Sequence, residues 1–323
     1  MEQNNTGNEL NKRPMIVLTG PTAVGKTKLS ISLAKACDGE IISADSMQVY
    51  RGMDIGSAKI TAKEMQGVKH HLIDCLDPKD AFNVVVFQKM CLECLEDIYK
   101  RGKLPIVTGG TGFYIQALLN GISFDENEED HSYRESLEKL AEEKGADHLH
   151  EMLRTIDPES AEAIHANNIK RTIRALEYYH FTGQKISEHN ETQRQKESAY
   201  RSCYFVLNDQ RDLLYKRIDK RVDEMMADGL VEEVRKLKED GLTRDYVSMQ
   251  GLGYKEILAY LDGECTLEEA VYLIKRDTRH FAKRQITWFR REKDVIWVNK
   301  DEFAYDDEKI LEFMLGKMKE RGI

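Results

Sequence analysis

The sequence predicts an α/β protein in which a doubly wound parallel sheet carries an all-helical insertion. Short apolar runs, each suited to one buried strand, alternate with stretches of helical periodicity before residue 121 and again after residue 203. Residues 132–195 between them show helical periodicity without a convincing strand. With 323 residues, the chain is long enough for a large core and a smaller second unit.

The strands of the predicted sheet are short apolar runs bounded by Pro, Gly or polar residues. They span residues 14–19, 40–44, 71–74, 104–108, 204–207 and 295–298. Helical periodicity covers residues 28–37, 87–99 and 212–239. Because parallel strands need long crossovers, this alternation favours a parallel sheet with helices on both faces. The predicted domains are a flexible tail at 1–12, a core at 13–121 and 203–323, and a helical insertion at 122–202.

The composition is typical of a folded soluble protein, with 41% hydrophobic and 33% charged residues. No apolar run approaches the roughly 18 residues of a membrane span, and residues 1–12 lack the apolar core of a signal peptide. We therefore expect a cytoplasmic protein without membrane contact, and by default a monomer with no protein partner implied. The six cysteines include Cys91 and Cys94, whose helical surroundings favour reduced, packed thiols over a metal site.

Charge is unevenly distributed along the chain. The net charge of −9 argues against indiscriminate nucleic-acid binding, but not against a local basic surface. Residues 125–130 form an acidic cluster, whereas residues 275–293 contain eight Lys or Arg and two acidic residues. In this basic segment, Arg276, His280 and Arg284 are spaced at i, i+4 and i+8, so they share one helix face. Such a face either contacts nucleic-acid phosphates or pairs with acidic groups elsewhere in the protein.

The strongest local motif is the G-x-x-x-x-G-K-T sequence of residues 20–27, which follows a predicted strand and precedes a predicted helix. Its glycines allow backbone N–H groups to face an anion, and the helix adds its positive dipole end. Lys26 supplies a point charge, and Thr27 can bond a phosphate oxygen or hold Mg²⁺. The motif predicts a P-loop NTPase-like core that binds a diphosphate group. The predicted contacts are Gly20, Thr22, Ala23, Val24, Gly25, Lys26 and Thr27.

This motif alone does not identify the ligand. A protein that hydrolyses ATP or GTP is expected to have a second strand ending in Asp, which holds Mg²⁺ through water. The counterpart strand at 104–108 ends in Gly109, Gly110 and Thr111, without a carboxylate. Asp45 follows the strand at 40–44 and is expected in the same crevice at the strand ends. There it can act as a general base or bind a metal, or it can simply cap a turn.

Six segments together resemble the tRNA dimethylallyltransferase family, also called isopentenyl-tRNA transferases. They are GPTAVGKT at 20–27, ADSMQVYRGMDIGSAK at 44–59, VTGGTGFY at 107–114, IKRTIRALEYY at 169–179, QGLGYKEI at 250–257 and KRQITWFR at 283–290. The matches follow the family order from about residue 14 to about residue 298. Such enzymes transfer a dimethylallyl group from its diphosphate to N6 of adenosine 37, beside the tRNA anticodon. The products are N6-(dimethylallyl)adenosine and diphosphate.

The resemblance implies a catalytic role for Lys26, Asp45, Thr111 and Arg217. Asp45 matches the general base, and Thr111 matches a position that touches the target region of the tRNA. Arg217 matches an arginine near the diphosphate, but Arg221 lies one helical turn further on the same face. Either arginine can therefore be the main diphosphate contact. Mg²⁺, held through Thr27, is the implied cofactor.

The resemblance also implies that the partner is a tRNA anticodon stem-loop. The target base is stacked in that loop, so an enzyme must extrude it to reach N6. The implied tRNA contacts are Asp45, Ser46, Met47, Gln48, Thr111, Lys170, Arg171, Arg174, Gln250, Gly251, Gly253, Tyr254 and Arg284. The basic trio Lys170, Arg171 and Arg174 also fits a merely solvated helix face.

Three other functions share part of this pattern. A P-loop kinase of a nucleoside or small metabolite would use the same loop, Mg²⁺ and base, but the missing acid after residues 104–108 argues against it. A prenyltransferase acting on free adenine nucleotides has no need of the helical insertion and its basic segment. A non-catalytic RNA-binding protein has no need of Lys26, Thr27 and Asp45 together.

Overall fold

The structure is a computed structural model that describes residues 12–122 and 132–323. The acidic cluster at 125–130 lies outside the described residues, as does the predicted tail apart from Lys12. The chain divides into two compact units, one formed by Met1–Leu119 with Ala199–Ile323 and the other by Asn120–Ser198. In the part of the chain that is described, none of the helices combines the length and apolar character needed to cross a membrane.

The first unit contains a six-stranded sheet in which every pair of neighbouring strands is parallel. The strands are β1 Arg13–Thr19, β2 Gly39–Ser43, β3 His70–His71, β4 Leu104–Gly109, β5 Tyr200–Asn208 and β6 Val295–Asn299. Their order across the sheet is β3-β2-β4-β1-β5-β6. The chain leaves β1 towards one edge and later returns past it to the other edge, so the carboxyl ends of β1 and β4 lie at the switch point where ligands collect. The predicted α/β fold is confirmed.

Helices flank this sheet and make up the second unit. They are α1 Lys26–Ala36, α2 Ala62–Met65, α3 Val84–Lys100, α4 Gly112–Leu119, α5 Ser132–Lys144, α6 Ala146–Ile156, α7 Pro158–Ala163, α8 Ile169–Thr182, α9 Ile186–Gln195, α10 Arg211–Ala227, α11 Leu230–Glu239, α12 Tyr254–Leu261, α13 Leu267–Phe289 and α14 Asp307–Glu320. Short 3-10 turns occur at Val247–Gln250 and Lys300–Phe303.

The core lies on both faces of the sheet because successive strand side chains point to opposite sides. Met15 and Val17 of β1 belong to one buried cluster, which includes Phe87 of α3. Ile16 and Leu18 belong to the other cluster, which also contains α1 and α14 side chains. A strand that is buried on both faces reads as a continuous apolar run, which explains why β1 could be recognised in the sequence.

Three elements differ from the sequence prediction. The strand predicted at 71–74 is only His70–His71, because the backbone turns at Leu72 and Asp74, which have positive φ angles of 60° and 52°. The strand predicted at 204–207 is longer, because residues 200–206 of β5 pair with all seven residues of β1. The helical pattern predicted at 212–239 forms two helices, α10 and α11, separated at Gly229 with a φ of 101°.

The second unit is built from α5 to α9, and its described residues contain no strand. Its core includes Leu149, Leu153 and Leu176, all buried. Asp157 caps α7 by accepting the N–H of Ser160 at 3.1 Å. The same carboxylate accepts the hydroxyl of Ser187 at 2.7 Å and so joins α9 to the start of α7. This explains the Asp-Pro interruption seen in the sequence as a helix start.

Candidate active site

The phosphate loop connects β1 to α1 and depends on glycine at both of its ends. Gly20 has a φ of 143°, and a Cβ there would lie 2.4 Å from the carbonyl oxygen of Leu207. Gly25 has a φ of 103° and precedes the first residue of α1. Side chains are excluded at the first position by sterics and disfavoured at the second by conformation. The loop therefore curls into the start of the helix, as the motif predicted.

Lys26 is the first residue of α1, and its ammonium group turns back over the loop. Its Nζ donates to the carbonyl oxygens of Gly20 and Pro21, each at 2.9 Å. Burial, and to a smaller extent the charge of Arg221, lower the pKa of Lys26 to about 8, although the charge of Asp45 opposes this shift. The charges of Arg221 and Asp45 therefore influence Lys26 in opposite directions.

The two candidate arginines of α10 have different surroundings. An NH2 group of Arg217 lies 2.5 Å from Oδ2 of Asp209, whose side chain is fully buried. Arg221 is half-buried, and burial lowers its pKa despite the opposing charges of Glu224 and Glu64. Its charge acts directly on Lys26. Of the two, Arg221 is the one whose charge influences Lys26, and Arg217 forms an ion pair with Asp209.

Asp45 follows β2 and is half-buried at the strand ends. Its Oδ1 accepts the N–H groups of Met47 at 2.8 Å and Gln48 at 3.3 Å. This is the turn-capping arrangement that the sequence left open, and it uses only one carboxylate oxygen. Within residues 12–122 and 132–323, Oδ2 has no hydrogen-bond partner. The turn therefore orients the carboxylate and leaves one oxygen available to accept a proton.

The end of β4 packs directly against the end of β2. The N–H of Ala44 donates to the carbonyl of Thr108 at 2.7 Å, and the N–H of Thr111 donates to the carbonyl of Ala44 at 3.4 Å. A Cβ on Gly109 would lie 2.2 Å from that same carbonyl oxygen. Glycine thus permits the close approach, and Thr111 comes to lie beside the residue that precedes Asp45.

Gln285 of α13 also belongs to this site, although the sequence did not single it out. Its Oε1 accepts the N–H of Thr22 at 2.9 Å, and its Nε2 donates to the carbonyl of Gly110 at 2.9 Å. The Thr22 N–H, predicted to contact diphosphate, is therefore engaged by the protein itself. One feature of the sequence could have indicated this role. Gln285 lies three residues after Ala282 and four before Phe289, so this polar side chain shares the buried face of the helix with two apolar ones.

The loops at 45–59 and 250–254, both implied to contact tRNA, touch one another. A Cβ on Gly251 would lie 2.5 Å from Cε of Met47. Gln48 bonds to its own loop, since its Nε2 lies 3.4 Å from the carbonyls of Ser57 and Ala58. The implied tRNA contacts of this region include Ser46, half-buried, and Gln250, exposed.

Tyr254 does not fit a direct tRNA contact, because its side chain is 0% exposed. A Cβ on Gly56 would lie 2.6 Å from carbon atoms of the Tyr254 ring, so the ring can pack here only against glycine. The hydroxyl of Tyr254 donates to Oε1 of Glu233 at 2.8 Å. Gly253, with a φ of 93°, allows the chain to turn into α12 at this point. Tyr254 therefore supports the loop from inside the protein.

Two charged side chains missed by the sequence hold the 45–59 loop. Glu233 of α11 accepts the N–H groups of Asp54, Ile55 and Gly56 at 2.9, 2.8 and 3.1 Å. Lys59, with a side chain only 4% exposed, donates to the carbonyl of Tyr50 at 2.6 Å. Its Nζ also lies 2.6 Å from Oδ1 of Asp54 and 2.5 Å from Oδ1 of Asp74. No local motif distinguishes such residues from solvated surface charges.

The predicted basic residues lie on two helices. Lys170, Arg171 and Arg174 are all exposed on α8 of the second unit. On α13 of the first unit, Arg284 is exposed, and its guanidinium carbon lies 5.7 Å from the centre of the Phe281 ring.

The basic face of α13 is partly neutralised by acidic groups. Arg276 pairs with Asp277, its sequence neighbour, at 2.7 Å, and Arg279 pairs with Asp219 of α10 at 2.5 Å. Among the residues that the structure describes, Arg284 has no carboxylate within ion-pair distance. The positive charge of this helix face is therefore least neutralised at Arg284.

Comparisons with known proteins identify the family of this chain. The sequence model of the IPP transferase family matches residues 48–292. A tRNA dimethylallyltransferase from Lachnoclostridium phytofermentans is 61% identical over 311 residues, covering 96% of this chain and 99% of that protein.

Solved structures give the same result. The full-length tRNA isopentenylpyrophosphate transferase from Bacillus halodurans is 46% identical, with a TM-score of 0.72 over 96% of this chain and 98% of that one. A eukaryotic dimethylallyltransferase acting on tRNA is 32% identical, with a TM-score of 0.76 over 89% of this chain and 74% of that one. On the strength of the family match and the near full-length identity, this chain belongs to the IPP transferase family.

Proposed function

We propose that the chain transfers a dimethylallyl group from dimethylallyl diphosphate to N6 of adenosine 37 in tRNA and releases diphosphate. The observation that carries this proposal is that an anion loop and a carboxylate follow the carboxyl ends of β1 and β2, two strands of one parallel sheet that are separated only by β4. Lys26 and Arg221 interact electrostatically with each other, and Asp45 acts on the same ammonium group. A relative that is 61% identical carries the name tRNA dimethylallyltransferase.

The cationic half of the site suits a diphosphate leaving group. As the bond from carbon to oxygen breaks, negative charge grows on the diphosphate and must be neutralised. Backbone N–H groups of residues 23–27, Lys26 and Arg221 supply preorganised positive charge for this purpose. Arg217 acts on the site indirectly, because it forms an ion pair with Asp209.

The carboxylate half of the site suits an adenine amine. The lone pair of N6 is delocalised into the ring, so the amine becomes an effective nucleophile only as it loses a proton. Asp45 accepts that proton through Oδ2 while Oδ1 remains held by the turn at Met47. The new C–N bond forms as the bond to diphosphate breaks, in a direct displacement with cation-like character at carbon.

A magnesium ion fits the donors present. Among the described residues, no group of three or more His, Cys, Asp or Glu side chains could hold a metal ion. Mg²⁺ commonly takes few protein ligands and binds chiefly through substrate phosphates and water. The hydroxyl of Thr27, exposed at the start of α1, would be the protein ligand. When bound, the ion would help to neutralise the diphosphate.

The acceptor in this proposal is the anticodon stem-loop of a cytoplasmic tRNA. The extruded base is bound near Asp45, Ser46, Met47 and Thr111. The exposed trio Lys170, Arg171 and Arg174 of the helical insertion contacts the RNA backbone, as does Arg284 of α13. Phosphate contacts of this kind give affinity that falls as salt rises.

The decisive experiment incubates the protein with labelled dimethylallyl diphosphate and unmodified tRNA, with ATP and AMP as competing acceptors. We expect label only in the tRNA, and only when adenosine 37 is present. Label in the free nucleotide would instead identify an adenylate prenyltransferase. Phosphoryl transfer from ATP without prenyl transfer would identify a kinase.

A further inference from the structure

The side chain of Gln285 joins two loops of the site that are far apart in the sequence. Its Oε1 accepts the N–H of Thr22 and its Nε2 donates to the carbonyl of Gly110, each at 2.9 Å. The side chain is only 6% exposed, so water does not compete freely for either hydrogen bond. The first loop is proposed to hold the diphosphate, and the second continues directly into Thr111.

Packing around Gln285 leaves little freedom in the spacing of these loops. A Cβ on Gly110 would lie 2.1 Å from Nε2 of Gln285. Trp288 lies three residues further along α13 and packs against Gly112. A Cβ on Gly112 would lie 2.2 Å from Cδ1 of the Trp288 indole. Two side chains of one rigid helix therefore press on the backbone on both sides of Thr111.

We infer that Gln285 is a positioning residue that sets the distance between the phosphate loop and the Thr111 turn. The inference rests on the proposed transfer reaction, in which one loop holds the donor and the other lies against the acceptor base. The reacting carbon and nitrogen must come within about 3–3.5 Å and in line before the bond can form. An error of about 1 Å in this spacing typically costs about 10²-fold in rate.

Two substitutions separate the parts of this arrangement. Gln285→Leu removes both hydrogen bonds. Gln285→Glu keeps an acceptor for the Thr22 N–H, but its carboxyl can donate to the Gly110 carbonyl only when it is protonated. A matched control is Gln88→Leu, which deletes the Nε2 hydrogen bond to the carbonyl of Ala117 in α4 at 2.9 Å.

The test is single-turnover transfer of labelled dimethylallyl groups to unmodified tRNA, with the affinities for tRNA and for dimethylallyl diphosphate measured separately. We expect Gln285→Leu to slow transfer about 10²-fold while both affinities stay within about threefold of the wild type. The rate of Gln285→Glu relative to wild type should rise as pH falls, and Gln88→Leu should transfer normally. A loss confined to affinity, or an equal loss of rate in Gln88→Leu, would overturn the inference.

A second measurement does not depend on transfer. Hydrogen exchange at the Thr22 amide should be faster in Gln285→Leu than in the wild type, and unchanged in Gln88→Leu. If the wild type transfers nothing to tRNA, the proposed function fails, whereas accelerated exchange at Thr22 still supports the connection between the loops. Unchanged exchange in Gln285→Leu would overturn that connection even if the enzyme is active.

Discussion

The hydroxyl of Tyr254 donates to Oε1 of Glu233 at 2.8 Å, and the same carboxylate accepts three consecutive N–H groups from residues 54–56. One side chain thus connects the 45–59 loop to the start of α12, although these segments are about 200 residues apart in the sequence. Both segments are implied to meet the tRNA. Their relative position depends on Glu233.

Replacing Glu233 by Gln should disturb both segments. An amide NH2 cannot accept N–H groups, so at least one donor of residues 54–56 is left without a partner, at a cost of about 1–3 kcal/mol. We expect a lower melting temperature and about tenfold weaker tRNA binding, measured by thermal unfolding and filter binding. The control is Glu232→Gln, since Glu232 forms an ion pair with Arg235 on the exposed side of α11. Equal tRNA affinity in the two variants would contradict the role of Glu233.

Asp45 allows its two functions to be tested apart. In Asp45→Asn the side-chain oxygen can still accept the N–H groups of Met47 and Gln48, but the residue no longer accepts a proton. We expect turnover to fall by about 10²–10⁴-fold while tRNA binding is preserved. Asp45→Ala should lose the turn as well and should therefore also weaken tRNA binding. Near-normal turnover in Asp45→Asn would rule out a general base at this position.

The two arginines of α10 should respond differently to substitution. Arg221→Gln should weaken binding of inorganic diphosphate, since Arg221 interacts with Lys26 at the loop. Arg217→Gln should mainly lower stability, by about 1–3 kcal/mol, because it leaves the buried Asp209 carboxylate without its ion pair. Calorimetric titration with diphosphate and thermal unfolding measure the two effects. The reverse pattern would make Arg217 the main diphosphate contact.

The lowered pKa of Lys26 should make diphosphate binding depend on pH. In the free protein its ammonium loses its proton as pH rises through about 8, so affinity for an anion should fall above that value. A bound anion favours the charged form, so binding near pH 8 should take up protons from solution. Titrations in buffers of different ionisation enthalpy measure this uptake.

Lys26→Met is the control for this effect, because it retains only the pH dependence of diphosphate itself. If the wild type and Lys26→Met show the same change of affinity with pH, the lysine is already fully charged in the free protein. The same pKa shift affects folding. The folded chain binds fewer protons at Lys26 than the unfolded chain between about 8 and the ordinary value of 10.5, so this group makes stability rise with pH across that window.

The parts of the site that the sequence predicted are those encoded by neighbouring residues. The phosphate loop lies between an apolar strand and a helix, and Asp45 directly follows a second apolar strand, so both could be placed at the switch point of the sheet. The sequence pattern could not show that one helical stretch divides at Gly229, because a single Gly is tolerated inside many helices.

The contacts that the sequence could not predict join residues that are far apart along the chain. Gln285 reaches Thr22 across 263 positions, and Glu233 reaches Asp54 across 179. Neither side chain has a local pattern that names its partner, since hydrogen bonds of this kind exist only after the sheet has formed. The implied tRNA contact of Tyr254 does not fit the structure for a related reason. Its motif lies in a loop, but its side chain is buried beneath that loop.

The ammonium group of Lys59 closes the segment from Tyr50 to Lys59 into a ring, because it binds the carbonyl at one end and two carboxylates beside it. The Glu233 carboxylate also holds the middle of this ring at residues 54–56, so the segment is held at two places. Any chemical change that removes the charge of Lys59 would open the ring at its ends and leave residues 54–56 attached to α11. The amides near the two ends of the segment should then become accessible to solvent before those of residues 54–56.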